Sequence, residues 1–202
     1  MLKVHPIVRA VLVGAITMTG AGCKTSELNY GTLQAPSSAP AFESRFAVAF
    51  DDGYTPAPPN IEGRAPNDVM DQRLLHARLG HADLVMVVKV SQIWQKGFKG
   101  GDKRQYLDIR LGEVLFGDLD GEVHEQQLLA VSGDSLPAEL EGASLLMFVR
   151  WAPGEDPSFH HHLGPADPAV VEMIRAMVKH ARKEGVLTPR GNKKKQRGNA
   201  PS

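Results

Sequence analysis

The stretch DLVMVVKVSQIW, residues 83–94, decides the fold class. It is long, rich in β-branched residues and free of glycine and proline, which is the composition of a strand and not of a helix. Working outward, YLDIRLGEVLF (106–116) alternates, with Leu107, Ile109, Leu111 and Leu115 on one side and Asp108 and Arg110 on the other. GDLDG (117–121) follows as a turn. Residues 123–131 place Gln127, Leu129 and Val131 together, ASLLMFVRW (143–151) is apolar enough for a central strand, and 158–163 supply a weaker fifth.

Helices are expected on either side. Asn67 and Asp68 read as a helix start, Val69, Met70, Leu74, Leu75 and Leu79 as its apolar stripe, and Gly80 as its stop, giving a helix over about 67–80. A second helix is expected over about 167–184. Asp167 caps it, Pro168 takes the first helical position, Val170, Ile174, Met177, Val178 and Ala181 form the stripe, and Gly185 ends it. The class is therefore mainly β with flanking helices. The expected architecture is a small five-stranded antiparallel OB-like barrel or strongly bent sheet over 67–187, since closure hides strand edges. The order of apolar strands and the Gly-Asp turn across 83–151 resembles the barrels of the tissue-inhibitor and netrin type. The inhibitors of that family act through a disulfide-held N-terminal Cys amine. The single cysteine here lies about 60 residues before the first long strand, so the resemblance implies a fold and not an inhibitory activity.

The chain has 202 residues, formal charge zero and one cysteine, so no intrachain disulfide can form. Its neutrality hides an asymmetry. Residues 24–178 carry 13 basic and 22 acidic side chains, net −9, while 179–202 carry eight basic ones and a single acid. An acidic body argues against nucleic acid as a partner, because phosphate neutralisation needs the opposite sign. The tail over 188–202 is too polar to bury and is expected to be disordered; its Lys193-Lys194-Lys195 run suits solvent or anionic headgroups.

Residues 1–22 have the layout of an export signal: Lys3 and Arg9 without an acid, an apolar run AVLVGAITM (10–18), then small residues. As a helix that run is only about 14 Å long, too short to span a bilayer core. Gly20-Ala21-Gly22-Cys23 then resembles the lipobox of bacterial lipoproteins, with Gly20 where the family usually has Leu. The resemblance implies cleavage after Gly22, a diacylglyceryl thioether on Cys23 and acylation of the new amine. With Lys24 and not Asp next, it also implies the outer membrane of a Gram-negative envelope. A free thiol in an ordinary secreted protein is the competing reading. Residues 23–66, with six prolines, read as a lipidated N-terminus and a Pro-rich tether. Within them Phe46–Phe50 is either a short docking strand, closed by a turn at Asp51-Asp52-Gly53-Tyr54, or loose linker.

Chemistry-bearing patterns are sparse. His160-His161-His162 is the most conspicuous; on a strand His160 and His162 share a side, and with His124 they form a candidate metal site. Ser132-Gly133-Asp134-Ser135 lacks a nucleophile-elbow pattern and Gly97–Gly101 lacks a phosphate-loop pattern. The resulting expectation is a non-enzymatic, lipid-anchored envelope protein with no cofactor, whose partners are the membrane and an envelope protein or glycan. The alternative is a metal-binding protein or metal-assisted hydrolase at the histidine row.

Overall fold

The computed structural model describes residues 33–61, 66–97, 103–119, 125–130 and 136–187. Residues 1–32 and 188–202, hence Gly20, Ala21, Gly22, Cys23 and the basic tail, lie outside the described residues, as do His124 and Val131.

All five expected strands form, as Leu84–Gly97, Lys103–Phe116, Glu125–Ala130, Ser144–Trp151 and Phe159–Pro165. They are preceded by a two-residue strand, Gly53–Tyr54. Numbered in chain order from that short strand, β1 to β6 make one sheet of order β1-β6-β5-β2-β3-β4. Every pairing is antiparallel except β1 with β6, which is parallel. The five-stranded antiparallel barrel is thus corrected to a six-stranded mixed open sheet. The edge of β6 that closure would need is occupied by β1, and β1 and β4 remain the two edges. Two helices flank the strands in sequence, α1 (Pro66–His81) and α2 (Pro168–Lys183). Among the described residues no helix is long and apolar enough to cross a membrane.

The central strands are buried on both sides, which explains their near-continuous apolar sequence. In β5, Leu145, Met147, Val149 and Trp151 join a cluster with Leu84, Met86, Val88, Leu107, Ile109, Leu128 and Phe159. Leu146 and Phe148 face the other way, toward Leu75 of α1 and Val170, Val171, Ile174 and Val178 of α2. The α2 cap forms as expected: the Asp167 carboxylate accepts from Ala169 N at 2.9 Å and Val170 N at 3.2 Å. Gly185 ends the helix at φ +71, with Val186 N bonded back to Ala181 O. Of the expected stripe Met177 stays exposed. At α1 the helix starts one residue earlier than Asn67 and runs through Gly80 to His81.

Strict alternation fails in β3. Met86 pairs with Val114 and Val88 with Leu111, so between them one residue of β2, Val87, opposes two of β3, Gly112 and Glu113. This bulge reverses the phase: Leu111 and Val114 pack in the first cluster, and Leu115 in the helix-side one. Gly112 sits in the bulge, where a Cβ would come within 2.7 Å of the Val87 carbonyl oxygen. In β4 the buried positions are Gln126 and Leu128, while Gln127 is exposed. Gln126 is turned inward because it is used: its side-chain oxygen accepts from Leu33 N at 2.6 Å, and its amide donates to Gln127 O at 2.7 Å.

That contact belongs to the largest departure from expectation. Residues 33–61 are no tether; they form an arm bound to both faces of the sheet. Leu33 is buried in the first cluster, with Ala35 and Ala39 against it. Phe46, Ala49 and Phe50 are buried in the second. The Phe46–Phe50 run does dock, but as a 3-10 turn at Ser44–Phe46 and the turns after it. The strand falls instead in the expected turn. The prolines do not prevent this, because an extended Pro-rich segment can pack through its alanine, leucine and phenylalanine side chains without joining a ladder. The Phe46 ring is gripped by the Arg150 guanidinium 4.7 Å from its centroid and by His81 at 4.7 Å.

Phe50→Ala is expected to lower unfolding free energy by about 3–5 kcal/mol, and Gly112→Ala by about 1–3 kcal/mol because the opposing atom is backbone. Urea unfolding checks both, and limited proteolysis is expected to cut the 33–61 arm faster in Phe50→Ala only.

Candidate functional site

The arm meets β6 at the histidine row. Asp52 N bonds to His161 O at 2.8 Å and Thr55 N to Leu163 O at 2.9 Å, which lays β1 parallel to β6. Asp52 turns the chain with a φ of +53, a left-handed conformation that aspartate tolerates better than most residues. The two aspartates are thereby brought against the row.

As the alternation requires, His160 and His162 lie on one side and His161 on the other. His160 is held between two carboxylates, Nδ1 to Asp52 Oδ2 at 2.8 Å and Nε2 to Glu155 Oε2 at 3.0 Å. The Phe42 ring lies 4.4 Å from its ring centre. Because ionised carboxylates only accept, the two contacts favour the doubly protonated, imidazolium form of His160. Burial opposes this charge, but Asp52 and Glu155 outweigh it and hold the His160 pKa above its ordinary value.

His161 is buried, with 3% of its side chain exposed. Its backbone N–H donates to Asp52 Oδ1 at 2.9 Å. Its Nδ1 lies 3.0 Å from the same oxygen but off the direction a hydrogen bond needs, and its Nε2 has no partner among the described residues. The Asp52 carboxyl is pushed up by burial, yet its contacts with His161 and His160 leave it below the ordinary carboxylate value.

His162 is equally buried. Its Nδ1 is 2.7 Å from Asp51 Oδ1 and its Nε2 is 3.0 Å from Thr55 Oγ1. Asp51 also accepts from Gly53 N at 3.1 Å. Burial lowers the His162 pKa; Asp51 works against that, while the nearby positive charge of Arg78 adds to it, and the balance is a depressed value. His162 is therefore neutral near pH 7. Nδ1–H donates to the Asp51 carboxylate, and Nε2 is left to accept from the Thr55 hydroxyl. Burial raises the Asp51 carboxyl, and its bonds to His162 and Gly53 bring it below its ordinary value.

Thr55 and His162 open into a pocket of about 50 Å³. Leu74, Leu146 and Phe148 form apolar walls, and Arg78 lies on the same lining. Arg78 is itself tied to the arm, its Nε donating to Ala49 O at 3.0 Å.

The expected metal site is not assembled among the described residues: no group of three His, Cys, Asp or Glu side chains is placed to hold an ion. The reason is directional. The two partners of His160 sit on opposite ring nitrogens, as do those of His162, so the contacts point away from a common centre. Asp51, Asp52, Thr55, Glu155 and Arg78 escaped the sequence reading. The only signal for them was the Asp51-Asp52 pair, which reads equally well as a turn. The sequence matches no protein-family model, and no curated protein matches it.

The ionisations act in opposite senses on stability. His160 binds its proton more tightly in the fold, so its contribution is complete below the ordinary imidazole pKa and is lost as pH rises through the raised folded value. Asp51 and Asp52 contribute above the ordinary carboxylate range and lose this as pH falls through their lowered values. His162 adds to the acid side, since the unfolded chain accepts a proton that the fold resists. His160→Gln is expected to flatten the fall in Tm between about pH 6 and pH 8. Asp52→Ala is expected to cost about 2 kcal/mol by chemical denaturation, and Asp52→Asn about half of that, since the amide keeps an acceptor oxygen.

Proposed function

We propose that the protein is a lipid-anchored cell-envelope protein, exported by residues 1–22, acylated at Cys23 and held at the outer membrane of a Gram-negative bacterium. Its body acts as a binding or scaffolding module toward an envelope protein or a glycan. The observation that carries this is the sequence around the lone cysteine: a basic start, a nine-residue apolar run and Gly20-Ala21-Gly22 directly before Cys23. Two or three acyl chains make such an anchor stable where one is marginal, at about 0.8 kcal/mol per buried methylene.

The bound arm changes what the anchor allows. Leu33 is already packed in the sheet, so only residues 24–32 separate it from Cys23. Ten residue steps extend at most about 35 Å. The body is therefore kept close to the bilayer, and a partner must be met within that distance of the membrane surface.

Cys23→Ser is expected to leave the melting temperature unchanged while moving the protein from the membrane pellet to the soluble fraction, and to abolish incorporation of labelled palmitate. An unmodified thiol and an intact initiator methionine in the mass spectrum of the native protein would refute the anchor.

A further inference from the structure

We propose that Thr55, His162 and Asp51 form a hydrolytic triad that cleaves esters of short acyl groups bound in the adjacent apolar pocket. This goes beyond the anchoring reading and is independent of it; it would replace only the non-catalytic part of the role given to the body.

Three features meet at one place. The first is connectivity. A hydroxyl lies 3.0 Å from Nε2 of a neutral imidazole whose Nδ1 is 2.7 Å from a carboxylate, which is the order nucleophile, base, orienting acid. The second is environment. His162 is buried and Asp51 is fixed by the Gly53 N–H, so the imidazole is held in the tautomer that presents a basic nitrogen to Thr55. The third is a place for the acyl group. The pocket beside Thr55 and His162 is about 50 Å³, walled by Leu74, Leu146 and Phe148, and Arg78 supplies a cation on the lining. That volume is far below the roughly 300–1,000 Å³ of pockets for drug-sized ligands, so it suits a short acyl group and excludes a long one. A structural role would also use the Thr55 hydroxyl, as the partner that a buried Nε2 requires; the pocket beside the two groups is what points to a ligand.

In the proposed reaction Thr55 Oγ1 attacks the ester carbonyl carbon and its proton passes to His162 Nε2. The tetrahedral oxyanion forms on the side of Arg78. The carbon–oxygen bond to the leaving alcohol breaks as His162 returns the proton to that oxygen, leaving acyl-Thr55 and free alcohol. Water then attacks the acyl carbon, giving its proton to His162. The bond to Thr55 Oγ1 breaks with return of that proton, and the carboxylic acid leaves. Thr55 and His162 are the catalytic residues; Asp51 is a positioning residue.

The test uses the purified full chain with p-nitrophenyl acetate, butyrate and octanoate, following p-nitrophenol release. Acid-quenched samples are mapped by mass spectrometry. Turnover of the acetyl and butyryl esters above the buffer rate, a much slower octanoyl ester, and an acetyl adduct on Thr55 are expected. Thr55→Val keeps the shape and removes the hydroxyl, and should fall to background, whereas Thr55→Ser should remain active. His162→Gln should lower kcat/KM by about 10²–10⁴-fold. Asp51→Asn, which no longer selects the Nδ1–H tautomer, should lower kcat with KM little changed. Equal melting temperatures for Thr55→Val and the native chain make its result a statement about chemistry and not folding. Should Asp51→Asn unfold the chain, the Thr55→Val and Thr55→Ser pair still decides. No turnover by the native chain, unchanged turnover in Thr55→Val, or acetylation confined to other side chains overturns the proposal. None of these outcomes bears on the partitioning of Cys23→Ser, so the two readings fail separately.

Discussion

The contact between Asp51-Asp52 and the backbone and rings of His160, His161 and His162 governs how the rest of the molecule is arranged. Two consecutive carboxylates serve three consecutive histidines because the arm runs parallel to β6, so each residue step on one strand is matched on the other. Charge-assisted hydrogen bonds are about twice as strong as neutral ones, and here they are set on a partly buried edge where water competes poorly. They fasten β1, fill the edge through which the sheet would otherwise close, and carry Thr55 to His162. Without them the arm would retain its apolar contacts at Leu33, Phe46 and Phe50 and a few bonds such as Leu33 N to Gln126 and Ala49 O to Arg78.

The same contact divides the histidines by chemistry. His160, between two carboxylates at the rim, is biased toward the charged form; His162, two residues further on the same side, is biased toward the neutral form because burial and Arg78 oppose its protonation. Adjacent residues of one type thus serve different ends: one holds the arm electrostatically, the other keeps a basic nitrogen next to a hydroxyl. This also accounts for the lack of a converging ligand set at the histidine row among the described residues, since the His160 and His162 rings are each engaged along their own axis.

The bound arm bears on the proposed anchor: acylation at Cys23 would restrict the body to a shell near the bilayer, with the net negative charge of residues 24–178 held at that depth. A mostly β domain whose N-terminal segment crosses both faces of its sheet also resists pulling on that segment, because detachment must break the Gln126–Leu33 bond, the Phe50 packing and the aspartate contacts together.

Several features were legible in the sequence because they depend on local pattern. The five long strands, the central position of the 143–151 run, the Asp167 cap and Gly185 stop, and the division of His160 and His162 from His161 all follow from periodicity and from residues with narrow conformational preferences. Tertiary structure decided what pattern cannot encode. The bulge at Gly112 reversed the phase of β3, because a single extra residue shifts every later side chain to the opposite face. The arm packed where its prolines suggested a tether, because the surfaces that receive Leu33 and Phe50 exist only once the sheet has formed. The partners of His162, Asp51 and Thr55, lie 111 and 107 residues away in the chain. Their meeting is a consequence of parallel pairing between distant segments, for which no local spacing leaves a mark.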